Sequence, residues 1–252
     1  MKSLSLSLPQ YDFLYLGDTK NLPYGDRSQD EIYRLTKRAL DELTRRDCAI
    51  TFLFCNTASA QALRRLQHEG YRTLGVIIPT VEEVHGKVIG VLATQSTVDS
   101  STYEIEIKKL LPDARVFQQA APKLVPLIEA GDVDNGTIRQ YLAPLLKHDI
   151  NTLILGCTHY GAIKYRIKAL VPPSVQIIAQ EDIIATKVTD YLSRHPEIES
   201  KLSKGGSRVY LVTRLPDFFD SEHPWLEHLG NFDRTLFRLI ILHDGDDRAS
   251  DR

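Results

Sequence analysis

Cysteine is scarce in this chain: Cys48, Cys55 and Cys157 are the only three among 252 residues. They form no Cys-x-x-Cys pair and no tight Cys/His cluster, which argues against a zinc centre and against a local disulfide redox couple. Charge of one sign is also lacking. A formal net charge of -2 provides no basic stripe for nucleic acid and no cationic face for a membrane surface. The longest apolar runs, such as 152–155 and 239–242, are far too short to cross a bilayer. The opening "MKSLSLSLPQ" carries one basic residue and alternates serine with leucine, a poor export signal. The expectation is a cytoplasmic protein with reduced thiols. No Gly-x-Gly-x-x-Gly or Walker-type loop occurs, and no lysine context singles out a pyridoxal-phosphate Schiff base, so no cofactor is expected. His223 and His228 have no metal-ligand spacing and read as surface residues.

What is present is a soluble composition, 42% hydrophobic and 25% charged, enough for one large core or two ordinary domains. Strand-like and helix-like stretches alternate. "YDFLYLGD" (11–18) reads as a strand and 28–46 as a helix. Ser28 and Glu31 have the spacing of a capping box. A strand over 48–55, a helix over 57–70 and a strand at "TLGVI" follow. The alternation then resumes: strands over 88–94, 114–120, 151–157, 175–179 and 208–213, and helices over 101–111, 136–148, 159–171 and 181–195. This order predicts an α/β fold of βαβ units with parallel sheets. The polar "EEVHGK" stretch suggests a division near residue 86. The first lobe would comprise 1–86 plus about 181–252, and the second 87–180. The charged end "DGDDRASDR" reads as a frayed terminus.

Two stretches share one design. "TFLFCNTASAQALRRL" and "LILGCTHYGAIKYRI" each run from an apolar strand into a cysteine, two polar residues and a helix. Ligands of parallel α/β sheets bind beyond the carboxyl ends of strands, so Cys55 and Cys157 would lie at one functional edge in each lobe. A helix N-terminus beside each favours the thiolate and would lower an ordinary thiol value of ~8.5 toward neutrality. Two thiols facing each other suit inversion at carbon: one removes a Cα proton from one face while the other delivers a proton to the opposite face.

The motifs "YLGDTKNLPYGDRS", "CNTASA", "VLATQST", "LVPLIEAG" and "LILGCTHY" resemble the glutamate racemase family over about residues 4 to 215. That resemblance implies two pseudo-symmetric Rossmann-like lobes with the active site in the cleft between them. It implies cofactor-independent supply of D-glutamate for peptidoglycan. It makes Cys55 and Cys157 the acid/base thiols, with Asp18, Glu129 and His159 as polar helpers. Tyr24 and Gly25 would offer backbone groups to an acidic amino-acid substrate. Asn56, Thr57, Thr158 and His159 would hold its charged ends. A homodimer is expected on the same ground.

Each of these residues also has a plainer reading. Cys48 reads as packing. Asp18 could cap a turn, Glu129 could be a solvated helix residue, and Asn56, Thr57 and Thr158 could be N-caps. The chain also departs from the family pattern. Family members begin with a strand and an Asp-Ser-Gly-x-Gly-Gly loop that have no counterpart before "QYDFLYLGD". The expected consequences are uncovered strand edges, a Cys55 without its helper and impaired activity. Residues 1–8 would form either the end of a helix, the preferred reading, or a makeshift strand. Gly161 stands where the family usually has proline, and the stretch after residue 214 departs from the family pattern. Two alternatives remain open: a non-catalytic relative that binds a protein, as some members bind gyrase, and a racemase of another acidic amino acid such as aspartate.

Overall fold

The computed structural model describes residues 2–214 and 237–242. The expectations for His223, His228, the charged end and most of the chain after residue 214 lie outside the described residues.

The chain opens with α1 (Lys2–Ser7), so the helical reading of this stretch holds. Leu4 and Leu8, four residues apart, are buried against Val188 and Leu192, while Leu6 between them is 71% exposed. A strand would have placed all three leucines on one face. Then come β1 (Phe13–Gly17), a 3₁₀ turn at Thr19–Asn21 and α2 (Gln29–Arg45). Ser28 and Glu31 close both arms of the expected capping box, which supplies partners for two otherwise free N–H groups. Next are β2 (Thr51–Leu53), α3 (Asn56–Gln61), α4 (Leu63–His68), β3 (Thr73–Gly75) and α5 (Ile77–Val81).

Two expectations are corrected in this segment. The helix expected over 57–70 is broken at Ala62, whose backbone (φ -121°, ψ -28°) is not helical. The strand expected through Ile77 stops at Gly75. Beyond it Ile77 and Val81 are buried and Ile78 is exposed, which is the spacing of a helix rather than a strand.

The second half contains β4 (Val88–Ala93), α6 (Gln95–Asp99), α7 (Thr102–Leu110), β5 (Arg115–Ala120), α8 (Leu124–Ala130), α9 (Asn135–Leu146) and β6 (Thr152–Gly156). After β6 comes a 3₁₀ stretch (Thr158–Ile163) before α10 (Lys164–Lys168). The expected single helix over 159–171 is thus tightened at its start, where Gly161 weakens the α-helical preference. The described chain ends with β7 (Gln176–Ile178), α11 (Gln180–Arg194), α12 (Pro196–Glu199), β8 (Arg208–Val212) and β9 (Phe237–Leu239).

All strand pairs are parallel. The second lobe has one continuous sheet in the order β5-β4-β6-β7. Its alternating residues feed two cores. Leu92, Leu153 and Leu155 pack toward α8 and α9 on one face. Val91, Ala93 and Ile154 pack toward Tyr103 and Ile107 on the other. Burial on both faces explains the unbroken apolar run of β6.

The first lobe has its sheet in two pieces, β1-β8-β9 and β2-β3. Strands β1 and β2 both line a cavity of about 620 Å³. Each has one strand partner among the described residues, in line with the expectation of uncovered edges in this lobe.

Candidate active site

The sheets deliver both cysteines to strand ends. Cys157 directly follows β6, and Cys55 sits two residues beyond β2. Cys55 is the N-cap of α3, its Sγ accepting the Ala58 N–H at 3.5 Å. Cys157 leads into the 3₁₀ stretch instead and is 7% exposed.

Their surroundings differ. Cys157 Sγ is 3.8 Å from His159 Nδ1, and His159 Nε2 is 2.8 Å from Glu129 Oε1 on α8. Burial pulls the imidazole down, but its contacts with Cys157 and Glu129 outweigh this and lift it to about 10. His159 is therefore a cation at neutral pH, held beside one sulfur and one carboxylate. At Cys55, burial dominates and pushes the thiol up to about 11, although the Ala58 and Thr57 donors pull the other way. The expectation that a helix N-terminus would lower this thiol fails here. A six-residue helix supplies too little field to offset desolvation.

The polar residues named from the sequence separate into groups. Asp18 accepts from Asn21 Nδ2 at 2.9 and 3.0 Å, from the Tyr24 hydroxyl at 2.7 Å and from Thr213 Oγ1 at 2.7 Å. Its carboxylate therefore ties the loop carrying Tyr24 to β8. The carbonyls of Tyr24 and Gly25 accept from the Arg27 and Ser96 N–H groups at 3.2 and 3.1 Å. A Cβ on Gly25 would lie 2.7 Å from Thr94, so only glycine lets this loop rest against the second lobe. Asp18, Tyr24, Cys55, Thr158 and His159 line the 620 Å³ cavity together, and Cys157 is not among its wall residues. Asn56 and Thr57 are buried in contacts between the lobes. The Thr57, Thr94 and Thr97 hydroxyls lie 2.9 to 3.3 Å apart, and Asn56 Oδ1 accepts from the Tyr103 hydroxyl at 2.6 Å.

Sequence reasoning did not single out Thr94, Tyr103, Gln180 or Tyr15. Tyr15 projects from β1 into the same cavity wall as Cys55. The pattern around Tyr103, "STYEIEIKKLL", reads as an ordinary helix, and nothing in it shows that the hydroxyl reaches α3. Among the described residues there is no group of three or more His, Cys, Asp or Glu that could hold a metal ion. No helix among them is long and apolar enough to cross a membrane.

Two parallel α/β lobes, each with a buried or half-buried cysteine just past a strand end, define a two-lobed α/β protein. Comparison with known proteins narrows this. No protein-family model matches the chain. A glutamate racemase of Caulobacter sp. (strain K31) is 37% identical over 249 residues, covering 85% of this chain and 87% of that protein. One from Lactobacillus helveticus is 33% identical over 87% of this chain and 85% of its own length. The crystal structure of the Francisella tularensis glutamate racemase in complex with D-glutamate superposes with a TM-score of 0.85, at 26% identity and covering 96% of this chain and 92% of that one. The Thermus thermophilus enzyme in complex with β-chloro-D-alanine gives 0.79, at 31% identity over 96% and 91%. The chain belongs to the glutamate racemase family.

Proposed function

We propose that this chain interconverts L- and D-glutamate by proton transfer between two thiols, supplying the D-isomer for peptidoglycan. The observation that carries the reading is the matched placement of the two cysteines, Cys55 just past β2 in one lobe and Cys157 just past β6 in the other. In one direction Cys157, as thiolate beside the His159 cation, takes the Cα proton. The C–H bond breaks as the S–H bond forms. The Cys55 thiol then gives its proton to the opposite face of the carbanionic centre and is left as thiolate. The reverse reaction exchanges the roles. His159 Nδ1 lies 3.8 Å from Cys157 Sγ, and burial keeps Cys55 protonated at neutral pH.

In this reading Glu129 holds the His159 imidazole, and Asn56, Thr57, Thr158 and His159 meet the charged ends of glutamate. The loop of Tyr24 and Gly25, anchored by Asp18, closes one side of the site. Of the described residues, those before 87 and those from about 181 onward would form the first lobe, and 87–180 the second. Among the described residues, Cys55 is hydrogen-bonded by N–H and O–H donors rather than by a carboxylate or imidazole. Proton exchange at Cys55 therefore limits the rate, and turnover is slow for the family. The expectation of a homodimer rests on the resemblance, and sedimentation measures it.

The test is polarimetric or circular-dichroism racemisation of both glutamate isomers, with Cα-proton exchange followed by NMR in D₂O. Aspartate is run in parallel. Glutamate is the isomer pair that should invert with exchange. Failure to exchange the Cα proton of either isomer would end the two-thiol reading, and faster exchange of aspartate would move it to another substrate.

A further inference from the structure

A buried polar cluster joins the lobes directly behind the two cysteine motifs. Its centre is Tyr103 on α7, fully buried. Two features of this side chain stand together. Its ring lies against the end of β6: a Cβ built on Gly156, the residue before Cys157, would be 3.2 Å from the Tyr103 ring. Its hydroxyl donates to Oδ1 of Asn56, the residue after Cys55, at 2.6 Å. One rigid side chain thus touches the immediate neighbour of each thiol, one in each lobe.

The hydroxyl is fully used. It donates to Asn56 and accepts from Gln180 Nε2 at 3.2 Å. Gln180 Nε2 also reaches Asn56 Oδ1 and Thr80 Oγ1, both at 3.4 Å. Asn56, Thr80, Tyr103 and Gln180 come from α3, α5, α7 and α11 and are all buried. Two donors converge on Asn56 Oδ1, which fixes the orientation of the carboxamide. Asn56 Nδ2 is buried without a hydrogen-bond partner.

We propose that Tyr103 is a positioning residue for the racemisation: it spaces the strand end bearing Cys157 from the helix start bearing Cys55, acting on the latter through Asn56. The inference rests on the two-thiol reading. A thiol must sit close to Cα on each face, and proton transfer falls steeply with misplacement. A tyrosine packed on one thiol's strand and bonded to the other's helix holds that separation.

The experiment is a double-mutant cycle with Tyr103→Phe and Asn56→Ala, read as kcat, KM and melting temperature for glutamate racemisation. Tyr103→Phe keeps the ring on Gly156 and removes the hydroxyl's bonds to Asn56 and Gln180. The expected result is a kcat about tenfold lower, the scale of one lost hydrogen bond, with KM within about twofold. In the Asn56→Ala background the same substitution should change kcat by less than about twofold, because the bond to Asn56 through which the hydroxyl acts on the thiol is already gone and only the longer contact with Gln180 is left to lose. An unchanged kcat in Tyr103→Phe, or effects that simply multiply, would overturn the inference. So would a loss seen only in melting temperature. If Tyr103→Phe does not fold, the cycle is run with Gln180→Met, for which a smaller coupled loss is expected and independence is the overturning result. Failure of the underlying reading has a different signature: Cys55→Ala or Cys157→Ala retains turnover, or the unsubstituted chain exchanges no Cα proton, and either result removes this inference as well.

Discussion

The two lobes carry the same local design and finish it differently. In the second, β4 and β6 are each flanked by strands on both sides, and the thiol beyond β6 has an imidazole and, behind it, a carboxylate. In the first, β1 and β2 face a common cavity instead of pairing, and the thiol beyond β2 meets backbone and hydroxyl donors. A continuous sheet and a thiol beside an imidazole occur together, as do a divided sheet and a thiol met by N–H and O–H donors. The difference shows what a strand-end motif needs besides its own residues. A cysteine before a helix supplies a nucleophile, but its acidity is set by groups that other strands bring alongside.

The largest expected effect tests whether both lobes contribute to the chemistry at all. Cys157→Ala and Cys55→Ala should each lower racemisation by ~10²–10⁴-fold, the usual contribution of one acid/base group, measured by circular dichroism. Turnover surviving in either variant would show that one lobe works alone. The second test compares packing. Leu155→Ala, in the closed core of the second lobe, should destabilise by about 3 kcal/mol in urea unfolding. Phe52→Ala, on the half-buried cavity wall, should cost less than about 2 kcal/mol, below the usual range for a packed phenylalanine. Equal losses would mean that the divided sheet is as tightly packed as the whole one.

Glu129→Gln should reduce kcat by about tenfold, as expected for one lost hydrogen bond to a charged group, and lower the His159 titration followed by NMR. A wild-type titration in the variant would detach Glu129 from the thiol's support. The remaining tests vary pH. The folded His159 value of about 10 lies above its ordinary 6.5. The stability it contributes is therefore full below about 6.5 and lost as pH rises through about 10. Denaturant midpoints of the wild type and of His159→Gln should converge across that window. The Cys55 thiol, raised to about 11, should be alkylated by iodoacetamide at a rate that still climbs above pH 9, read by mass spectrometry in Cys48→Ala. A plateau near neutrality would contradict its burial.

Much of this architecture is legible in local pattern. The continuous apolar run of β6, the Ser28 and Glu31 cap and the two cysteine motifs each announce an element or an edge within a few residues. The leucine spacing at 4 and 8 is also local, although alternation with serine makes it readable as strand or helix until Val188 and Leu192 supply a face. What local pattern does not show is long-range. The division of the first sheet depends on which strands pair, and pairing depends on residues far apart in sequence. The rise of the Cys55 thiol comes from the walls packed around it rather than from its helix. The contact of Tyr103 with Asn56 joins positions 47 residues apart, and a tyrosine among apolar residues looks the same whether or not its hydroxyl has work across an interface.

The unequal surroundings of the two sulfurs have one further consequence. Enantiomers in water have identical free energies, so the equilibrium mixture holds equal amounts of each whatever the protein looks like. A chiral, lopsided catalyst cannot shift that balance. It must therefore slow or speed both passages through kcat/KM by the same factor, and in the proposed mechanism the weakly acidic Cys55 thiol would set the pace for traffic in both directions.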